Sequence, residues 1–242
     1  MAGPVALVGS GEFLELMKPI DTGLLEGRPQ RAVFLPTASA EEGEARIDYW
    51  IKLGTAHFES MGVEAAPLRV LTRDDAERNE LAAEVAGAGL IYLSGGNPGY
   101  LADTLRDTVV WASIRSAWQA GAALAGCSAG AGALTAIANH VRSFSAPPGV
   151  GLRAIPQLAV LPHFDKIEAW APGITEALIR QAPEGVNVVG IDEDTALVGG
   201  PEDFVVEGRL GVWTLGRTGE RERYAAGATL HFPLRDGQTG AK

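Results

Sequence analysis

The chain has 242 residues, 46% of them hydrophobic, and a formal net charge of -10 at pH 7, so it can bury one sizeable core while its acidic surface repels nucleic acid. Its single cysteine cannot form an internal disulfide, which suits a reducing compartment. Residues 1–13 lack the basic flank and long apolar run of a signal peptide, and no apolar run is long enough to span a bilayer, so we expect a cytoplasmic protein without membrane contact.

The first half of the chain alternates short apolar runs with longer amphipathic segments. The short runs predict buried strands at residues 5–9, 32–36, 62–70, 90–96 and 122–126. The amphipathic segments predict helices at residues 40–62, 73–89, 101–121 and 129–138. Strands that alternate with helices favour an α/β fold in which a mostly parallel sheet is covered by helices on both faces.

The pattern changes after residue 140. Residues 140–155 contain Pro147, Pro148 and several glycines and are typical of a loop, and residues 167–182 predict a helix that Pro172 can interrupt. Short apolar runs then predict antiparallel strands near the C-terminus, at residues 186–192, 195–200, 203–208, 210–215 and 228–234. No linker-like segment interrupts the chain, so we interpret residues 1–242 as one domain.

Residues 126–130 read Gly-Cys-Ser-Ala-Gly and fit the G-x-S-x-G pattern of a nucleophile elbow. They lie between a predicted strand and a predicted helix, which is the context that this pattern requires. Ser128 would then occupy a strained turn beside the free amide groups of a helix N-terminus, which stabilise negative charge. Two alternatives stay open: Ser128 as the N-cap of the following helix, or Cys127 as the nucleophile, since a thiol is intrinsically the more nucleophilic group.

A nucleophilic serine needs a general base and a residue that orients this base. Among the four histidines His163 is the best placed, because it ends an apolar run where a loop begins, and sites in α/β sheets gather at strand ends. The other three fit structural positions: His57, His140 and His231. Three consecutive acid candidates end a later apolar run: Asp192, Glu193 and Asp194. Strand alternation places Glu193 on one face of the strand and its two neighbours on the other. An equal alternative is that the three acidic residues form a solvated turn without a catalytic role.

Four motifs of this chain occur in the order seen in peptidase family S51, which contains dipeptidase E and cyanophycinase: LIYLSGGNPGYL, GCSAGAGAL, LPHFD and GIDEDTAL. The opening VGSGEF and the segment FLPTAS resemble the family as well, so the resemblance extends from residue 5 to the region of residue 200. It implies a flavodoxin-like fold like that of class I glutamine amidotransferases. It also implies a Ser-His-acid hydrolase site without a cofactor.

The resemblance implies roles for individual residues. Ser128 would be the nucleophile, His163 the general base and Glu193 the acid that orients it. The glycine turn after the fourth strand and the start of the helix after Ser128 would supply the two amide donors of an oxyanion hole, Gly96 and Ala129. The expected enzyme is a serine peptidase that cleaves short peptides through an acyl-enzyme, as a dipeptidase or exopeptidase.

One departure from the family concerns the substrate. Cyanophycinases carry arginines shortly after the histidine, which suit aspartate-rich substrates, whereas this chain reads HFDKIEAW. Lys166 is the cation near His163 in the sequence, Arg142 follows the elbow helix, and Asn97 follows the glycine turn. These three residues are the candidates for substrate binding. Aspartate at P1 is the leading hypothesis for the preferred substrate.

Two other functions remain as alternatives. An α/β-hydrolase esterase has the chain order serine, acid, histidine, which Ser128, Asp194 and His231 satisfy, although further strand–helix units would then be expected after the elbow. A non-catalytic domain that binds a ligand or partner is the second.

The histidines lack a metal-binding spacing and the glycine turn is not G-x-G-x-x-G, so neither a metal nor a dinucleotide is expected. A homo-oligomer remains an alternative, because three tryptophans on predicted helices fit either the core or a subunit interface: Trp111, Trp118 and Trp170.

Overall fold

The computed structural model of the protein describes residues 1–140 and 148–234, and its strands form two sheets. The eight-stranded sheet contains, in chain order, β1 (Val5–Val8), β2 (Arg31–Leu35), β3 (Glu64–Pro67), β4 (Leu90–Leu93), β5 (Ala123–Cys127), β8 (Thr195–Gly199), β9 (Asp203–Gly208) and β12 (Thr229–His231). The four-stranded sheet contains β6 (Leu158–Leu161), β7 (Asn187–Ile191), β10 (Gly211–Leu215) and β11 (Arg221–Ala225). The α-helices are α1 (Lys18–Leu25), α2 (Glu44–Ser60), α3 (Arg73–Ala76), α4 (Asn79–Ala83), α5 (Pro98–Leu105), α6 (Val109–Gln119), α7 (Ala129–Ala133), α8 (Phe164–Trp170) and α9 (Ile174–Gln181).

The larger sheet has the strand order β12-β9-β8-β1-β5-β4-β2-β3. From β1 to β3 in this order all pairs are parallel, and β8, β9 and β12 extend the other edge in antiparallel pairs. The smaller sheet has the order β11-β10-β7-β6, in which only β6 and β7 are parallel. The predicted fold class is confirmed: a mostly parallel sheet, with antiparallel strands from the C-terminal part of the chain.

Helices cover both faces of the larger sheet, because alternate residues of each strand point to opposite sides. In β1, Val5 and Leu7 belong to a hydrophobic cluster that contains residues of α5 and α6, whereas Ala6 and Val8 belong to a second cluster with residues of α1 and α2. The central strands are apolar throughout because both of their faces are buried. A third cluster joins α8 and α9 to the smaller sheet.

One predicted helix begins later than expected, and another is divided into two. The helix predicted at residues 40–62 begins at Glu44, because Gly43 has a φ of 92° and a 3-10 helix, Thr37–Glu42, precedes it. The helix predicted at residues 73–89 is divided into the short helices α3 and α4. The strand predicted at residues 62–70 is likewise shorter, since only the residues of β3 pair with β2.

The remaining differences also reflect local breaks in an apolar pattern. The helix predicted at residues 101–121 is two helices, because the chain turns at Asp107, with a φ of 60°, and the Thr108 hydroxyl caps α6 by accepting from the Trp111 amide. The helix predicted at residues 129–138 ends at Ala133. The interruption expected near Pro172 is confirmed, since it separates α8 from α9. Sequence patterns did not predict α1, β6 or β11.

The short helix α7 lies unusually close to the end of β4. A Cβ atom on Gly130 would lie 2.1 Å from the carbonyl oxygen of Leu93, so a side chain at this position cannot be accommodated without moving the backbone. Two residues further along α7, a Cβ atom on Gly132 would have only the Cβ of Pro98 nearby, at an ordinary 3.6 Å. Because α7 directly follows Ser128, this contact fixes the helix that begins after the elbow.

We expect Gly130→Ala to lower the melting temperature and Gly132→Ala to leave it unchanged or slightly raised. Overpacking against a backbone carbonyl costs roughly 1–3 kcal/mol, whereas alanine in an open helical position is favoured over glycine by roughly 0.5–1 kcal/mol. Thermal unfolding followed by circular dichroism of both variants checks this. Equal melting temperatures for the two variants would contradict the close approach of α7 to β4.

Candidate active site

Side chains carried by both sheets meet at the carboxyl ends of their strands. Ser128 directly follows β5, and Gly96 lies three residues after β4, in the larger sheet. His163 follows β6 and Glu193 follows β7, which are neighbouring parallel strands of the smaller sheet. This edge of an open α/β sheet is where ligand sites form.

Ser128 occupies a strained junction between β5 and α7. Its φ of 51° and ψ of -108° lie outside the regions that a non-glycine residue normally adopts. Its amide donates to the carbonyl of Val8 in the adjacent β1, at 2.8 Å, which holds the junction in place. The Ser128 side chain makes no capping hydrogen bond to α7, so the N-cap alternative is not supported and the hydroxyl is left for another partner.

His163 lies between Ser128 and Glu193. Its Nε2 is 3.0 Å from Ser128 Oγ, and its Nδ1 is 3.1 Å from Glu193 Oε1. The ring of Trp170, on the helix that follows His163, has its centroid 5.3 Å from the imidazole. The Glu193 amide donates to Asp165 Oδ1 at 2.8 Å, which anchors the backbone that carries the carboxylate. Each nitrogen of the imidazole therefore has its own partner, an arrangement that fixes one tautomer.

The two aspartates beside Glu193 bind other groups. The Trp213 indole donates to Asp192 Oδ1 at 3.0 Å, and burial raises the pKa of this carboxyl. Asp194 accepts from the guanidinium of Arg209, with the shorter contact at 2.7 Å. Within the described residues, Glu193 is the one of the three carboxylates that is hydrogen-bonded to His163.

Cys127 points away from the Ser128 hydroxyl and into the core. It is fully buried, and its thiol donates to Glu12 Oε2 at 2.7 Å. Burial, and then the nearby Glu12 carboxylate, raises the pKa of the Cys127 thiol well above its usual range. A thiol that stays protonated is a poor nucleophile, so the alternative in which Cys127 attacks the substrate is not supported.

Glu12 is a site residue that sequence reasoning missed. Its carboxylate is buried beneath the glycine turn, where Oε1 accepts from the Gly95 amide at 2.8 Å while Oε2 accepts from the thiol. The available signal was its place after β1, in VGSGEF, as a charged residue at the end of a buried strand. Its partners are more than eighty residues away in the chain, and no local pattern reveals them.

The backbone amides of Gly96 and Ala129 are the candidates for an oxyanion hole, because both residues line the region beside Ser128. The Gly95 amide is bound to Glu12, whereas the Gly96 amide has no hydrogen-bond acceptor among the residues that the structure describes. Gly96 has a φ of 140°, and a Cβ on it would lie 2.3 Å from the Ala38 carbonyl oxygen, so glycine is needed here. Ala129 begins α7, and the first amides of a helix have no intrahelical acceptor.

A cavity of about 210 Å³ opens beside Ser128 and His163, and Gly96 and Ala129 line it as well. The rest of its wall is mainly apolar and comes from the chain after α7, from β6 and from the helices α8 and α9. Its larger apolar side chains are Ile137, Leu161, Ile167, Trp170, Ile174 and Leu178. The potential nucleophile and the two amides thus share one pocket with an apolar surface.

The three candidates for substrate binding do not form the described wall of this cavity. Asn97 caps α5 by accepting from the Tyr100 amide, and its Nδ2 donates to Glu41 at 2.7 Å. Lys166 has a side chain that is 53% exposed, and its Nζ lies 3.6 Å from Asp165 Oδ2. Arg142 lies outside the described residues.

The other three histidines are hydrogen-bonded to aspartates and not to Ser128. His57 is buried and bonds to Asp21 at 2.8 Å, and His140 bonds to Asp103 at 3.0 Å. His231, on the edge strand β12, bonds to Asp203 at 2.8 Å. Because Asp194 pairs with Arg209 instead, the esterase triad of Ser128, Asp194 and His231 is not assembled, and that alternative was wrong.

The chain is similar to known peptidases in sequence and in fold. The family model described as peptidase family S51 matches residues 5–205. The crystal structure of a peptidase from an acI-B1 Actinobacterium is 37% identical, with a TM-score of 0.89, covering 96% of this chain and 98% of the other. The crystal structure of a peptidase E candidate from Listeria monocytogenes EGD-e is 20% identical in sequence, with a TM-score of 0.60. The similarity covers 86% of this chain and 100% of the other, and it shows the same fold.

No curated protein matches the chain. In residues 1–140 and 148–234, no helix is long and apolar enough to cross a membrane. Membership of an enzyme family does not support the interpretation as a non-catalytic binding domain. The match over most of the chain and the similarity to a solved peptidase show that this protein belongs to peptidase family S51 and is a peptidase.

Proposed function

We propose that the protein hydrolyses short peptides by covalent catalysis, with Ser128 as nucleophile, His163 as general base and Glu193 as the orienting acid. The observation that carries the proposal is the hydrogen-bonded series from Ser128 Oγ through both ring nitrogens of His163 to Glu193 Oε1, at 3.0 and 3.1 Å. A nucleophile, a base and an orienting acceptor in this order are what acyl transfer by a serine requires.

In the first step, Ser128 Oγ attacks the carbonyl carbon of the scissile peptide bond while its proton passes to His163 Nε2. Glu193 accepts a hydrogen bond from His163 Nδ1–H, holds the ring in the tautomer that leaves Nε2 free, and stabilises the imidazolium that forms. The imidazolium then gives the proton to the leaving amine, the C–N bond breaks, and the acyl group remains on Ser128.

The negative charge of the tetrahedral intermediate requires hydrogen-bond donors at the substrate carbonyl oxygen. We assign this role to the amides of Gly96 and Ala129, which come from two separate strand ends and line the same cavity as Ser128. In the second half of the reaction a water molecule, deprotonated by His163, attacks the acyl carbon by the same route. Ser128 is then released with its proton, and the second product leaves.

The size of the cavity supports short peptides as substrates. Its volume of about 210 Å³ is small, and residues of the helices α8 and α9 form part of its wall. A small cavity of this kind favours a short peptide over a folded protein as substrate. We therefore propose a dipeptidase or exopeptidase, and we expect di- and tripeptides to be cleaved and folded proteins to remain intact.

Replacing the nucleophile tests the chemistry directly. Ser128→Ala should lower kcat by roughly 10³-fold or more, as in other serine triads. Cys127→Ala is the control in the neighbouring position, and it should retain most of the activity because its thiol is buried and protonated. Steady-state hydrolysis of a peptide mixture, followed by mass spectrometry, measures both. A Cys127→Ala enzyme without activity beside an active Ser128→Ala enzyme would reverse the assignment.

Replacing the acid tests the orientation of the base. Glu193→Gln should keep the fold and lower kcat, by up to roughly 10⁴-fold if it behaves like the aspartate of better-known triads. Asp192→Asn is the matched control, because Asp192 is adjacent in sequence and binds Trp213 instead of His163. The two kcat values should therefore differ widely, and similar values would contradict the role of Glu193.

The control variant Asp192→Asn should also change how the stability of the protein depends on pH. Burial raises the pKa of Asp192, so its ionised form lowers the free energy of unfolding at pH values above the pKa of the folded state. An asparagine has no charge and can still accept from the Trp213 indole. Asp192→Asn should therefore be as stable as the wild type or more stable at pH 8. This difference should shrink as the pH falls through the pKa of Asp192, and thermal unfolding at several pH values measures it.

Glu12 should act as a positioning residue for the glycine turn. Glu12→Ala removes the acceptor of the Gly95 amide, and we expect kcat to fall roughly tenfold to hundredfold, the loss that small misplacements of catalytic groups produce, with KM little changed. Glu12→Gln should restore most of kcat, because an amide oxygen can still accept from Gly95. A purely structural role would instead lower the melting temperature of both variants in proportion to their loss of activity.

A further inference from the structure

We propose that the cavity beside Ser128 binds a bulky apolar side chain, so that the preferred substrates are short peptides with leucine, phenylalanine or a similar residue next to the scissile bond. The inference rests on the proposed function, since it names the substrate class of the same site. It replaces the hypothesis of aspartate at P1.

The described wall of the cavity beside the catalytic groups is mainly apolar. Ile137 lies in the segment after α7 and Leu161 ends β6, whereas Ile167, Ile174 and Leu178 belong to α8 and α9. Leu161, Leu178 and Ile137 are themselves packed in the hydrophobic cluster of the smaller sheet, which fixes this wall in place. Trp170 is 61% exposed and forms the rim beside His163, where a substrate side chain would cover it.

The few polar groups of the wall are already engaged or belong to the chemistry. Ser128 and His163 bond to each other. The Asn139 side chain donates to Gln181 Oε1 at 2.7 Å and accepts from the Gly149 amide at 2.9 Å, so neither of its ends faces the cavity unpaired. Within the described residues, no lysine or arginine and no carboxylate lines the cavity.

The volume of the cavity matches a large side chain. Apolar cavities of roughly 150 Å³ in other proteins bind benzene, and this cavity measures about 210 Å³. A phenylalanine or leucine side chain can therefore enter. Full burial of such a side chain is worth roughly a tenfold to hundredfold gain in kcat/KM over a residue that leaves the cavity empty.

Among the described residues, the wall of this cavity offers no cation to an aspartate side chain. A carboxylate that leaves water needs a cation or several hydrogen-bond donors. The cation that the sequence places near the base, Lys166, is bound to Asp165 and lies off the wall. Asp165 and Glu193 add negative charge close to His163, which repels an acidic substrate further.

A dipeptide panel tests the substrate class. We would measure kcat/KM for Phe-Ala, Leu-Ala, Asp-Ala and Lys-Ala and for the reversed series Ala-Phe, Ala-Leu, Ala-Asp and Ala-Lys, with Ser128→Ala as the blank. In at least one series, the leucine or phenylalanine peptide should exceed the aspartate and lysine peptides by roughly tenfold or more. That series also identifies the substrate position that fills the cavity.

A matched pair of variants on one helix tests the location of the binding site. Ile174 and Ile179 are both half-buried isoleucines of α9, but only Ile174 lines the cavity. Ile174→Ala should reduce the preference for leucine over alanine at the selective position by roughly threefold to tenfold, and Ile179→Ala should leave it unchanged. Ile174→Arg should improve cleavage of the aspartate peptide relative to the leucine peptide. Melting temperatures and the rate of fluorophosphonate labelling of Ser128 report whether each variant keeps its fold and its nucleophile.

The outcomes separate the inference from the proposed function. If the wild type cleaves the aspartate peptides best, with activity lost in Ser128→Ala, the apolar cavity is not the specificity site, and the proposed function stands. Equal effects of Ile174→Ala and Ile179→Ala would also overturn the inference. If no peptide of the panel is cleaved and Ser128 does not react with a fluorophosphonate, the proposed function fails, and the inference fails with it.

Discussion

The contact of 3.0 Å between Ser128 Oγ and His163 Nε2 joins the carboxyl edges of two separate sheets. The larger sheet carries the nucleophile, and the smaller sheet carries the proposed base and acid. Because β6 and β7 are parallel neighbours, the residues that follow them lie side by side, which brings His163 and Glu193 within hydrogen-bonding distance. The turn that contains Glu193 then leads from β7 into β8, which pairs with β1. The same turn thus carries the acid and links the two sheets.

Three residues at this junction have strained backbone conformations. Ser128, His163 and Asp194 all have positive φ values, of 51°, 52° and 55°. Each such conformation in a non-glycine residue costs on the order of 1–3 kcal/mol and persists only where surrounding contacts determine it. Here the Val8 carbonyl binds the Ser128 amide and the Arg209 guanidinium binds Asp194. Three of the six described non-glycine residues with positive φ therefore lie at or next to the proposed triad; the other three are Phe13, Asp107 and Arg153.

The sequence alone predicts the features of this protein that depend on neighbours in the chain. The alternation of apolar and amphipathic runs predicted the parallel sheet, and the five residues around Ser128 predicted the elbow, because both patterns are local. Breaks in the helices depend on single positions such as Gly43 and Asp107, which an amphipathic pattern does not reveal. Glu12 and the wall of the cavity could not be predicted, since their contacts join residues far apart in the sequence. The substrate hypothesis followed the family, and the geometry of this chain's own cavity is what favours a different one.

The adjacent residues Cys127 and Ser128 show how the fold assigns different roles to two nucleophilic groups. Cys127 is the last residue of β5, and strand alternation directs its side chain into the cluster with Tyr92 and the α1 side of the sheet. There it is buried and hydrogen-bonded to Glu12, and its thiol remains protonated. One residue later the chain adopts a positive φ, leaves the sheet and presents the serine hydroxyl to His163. The more reactive group is thus held in the core, while the less reactive group is placed beside the proposed base.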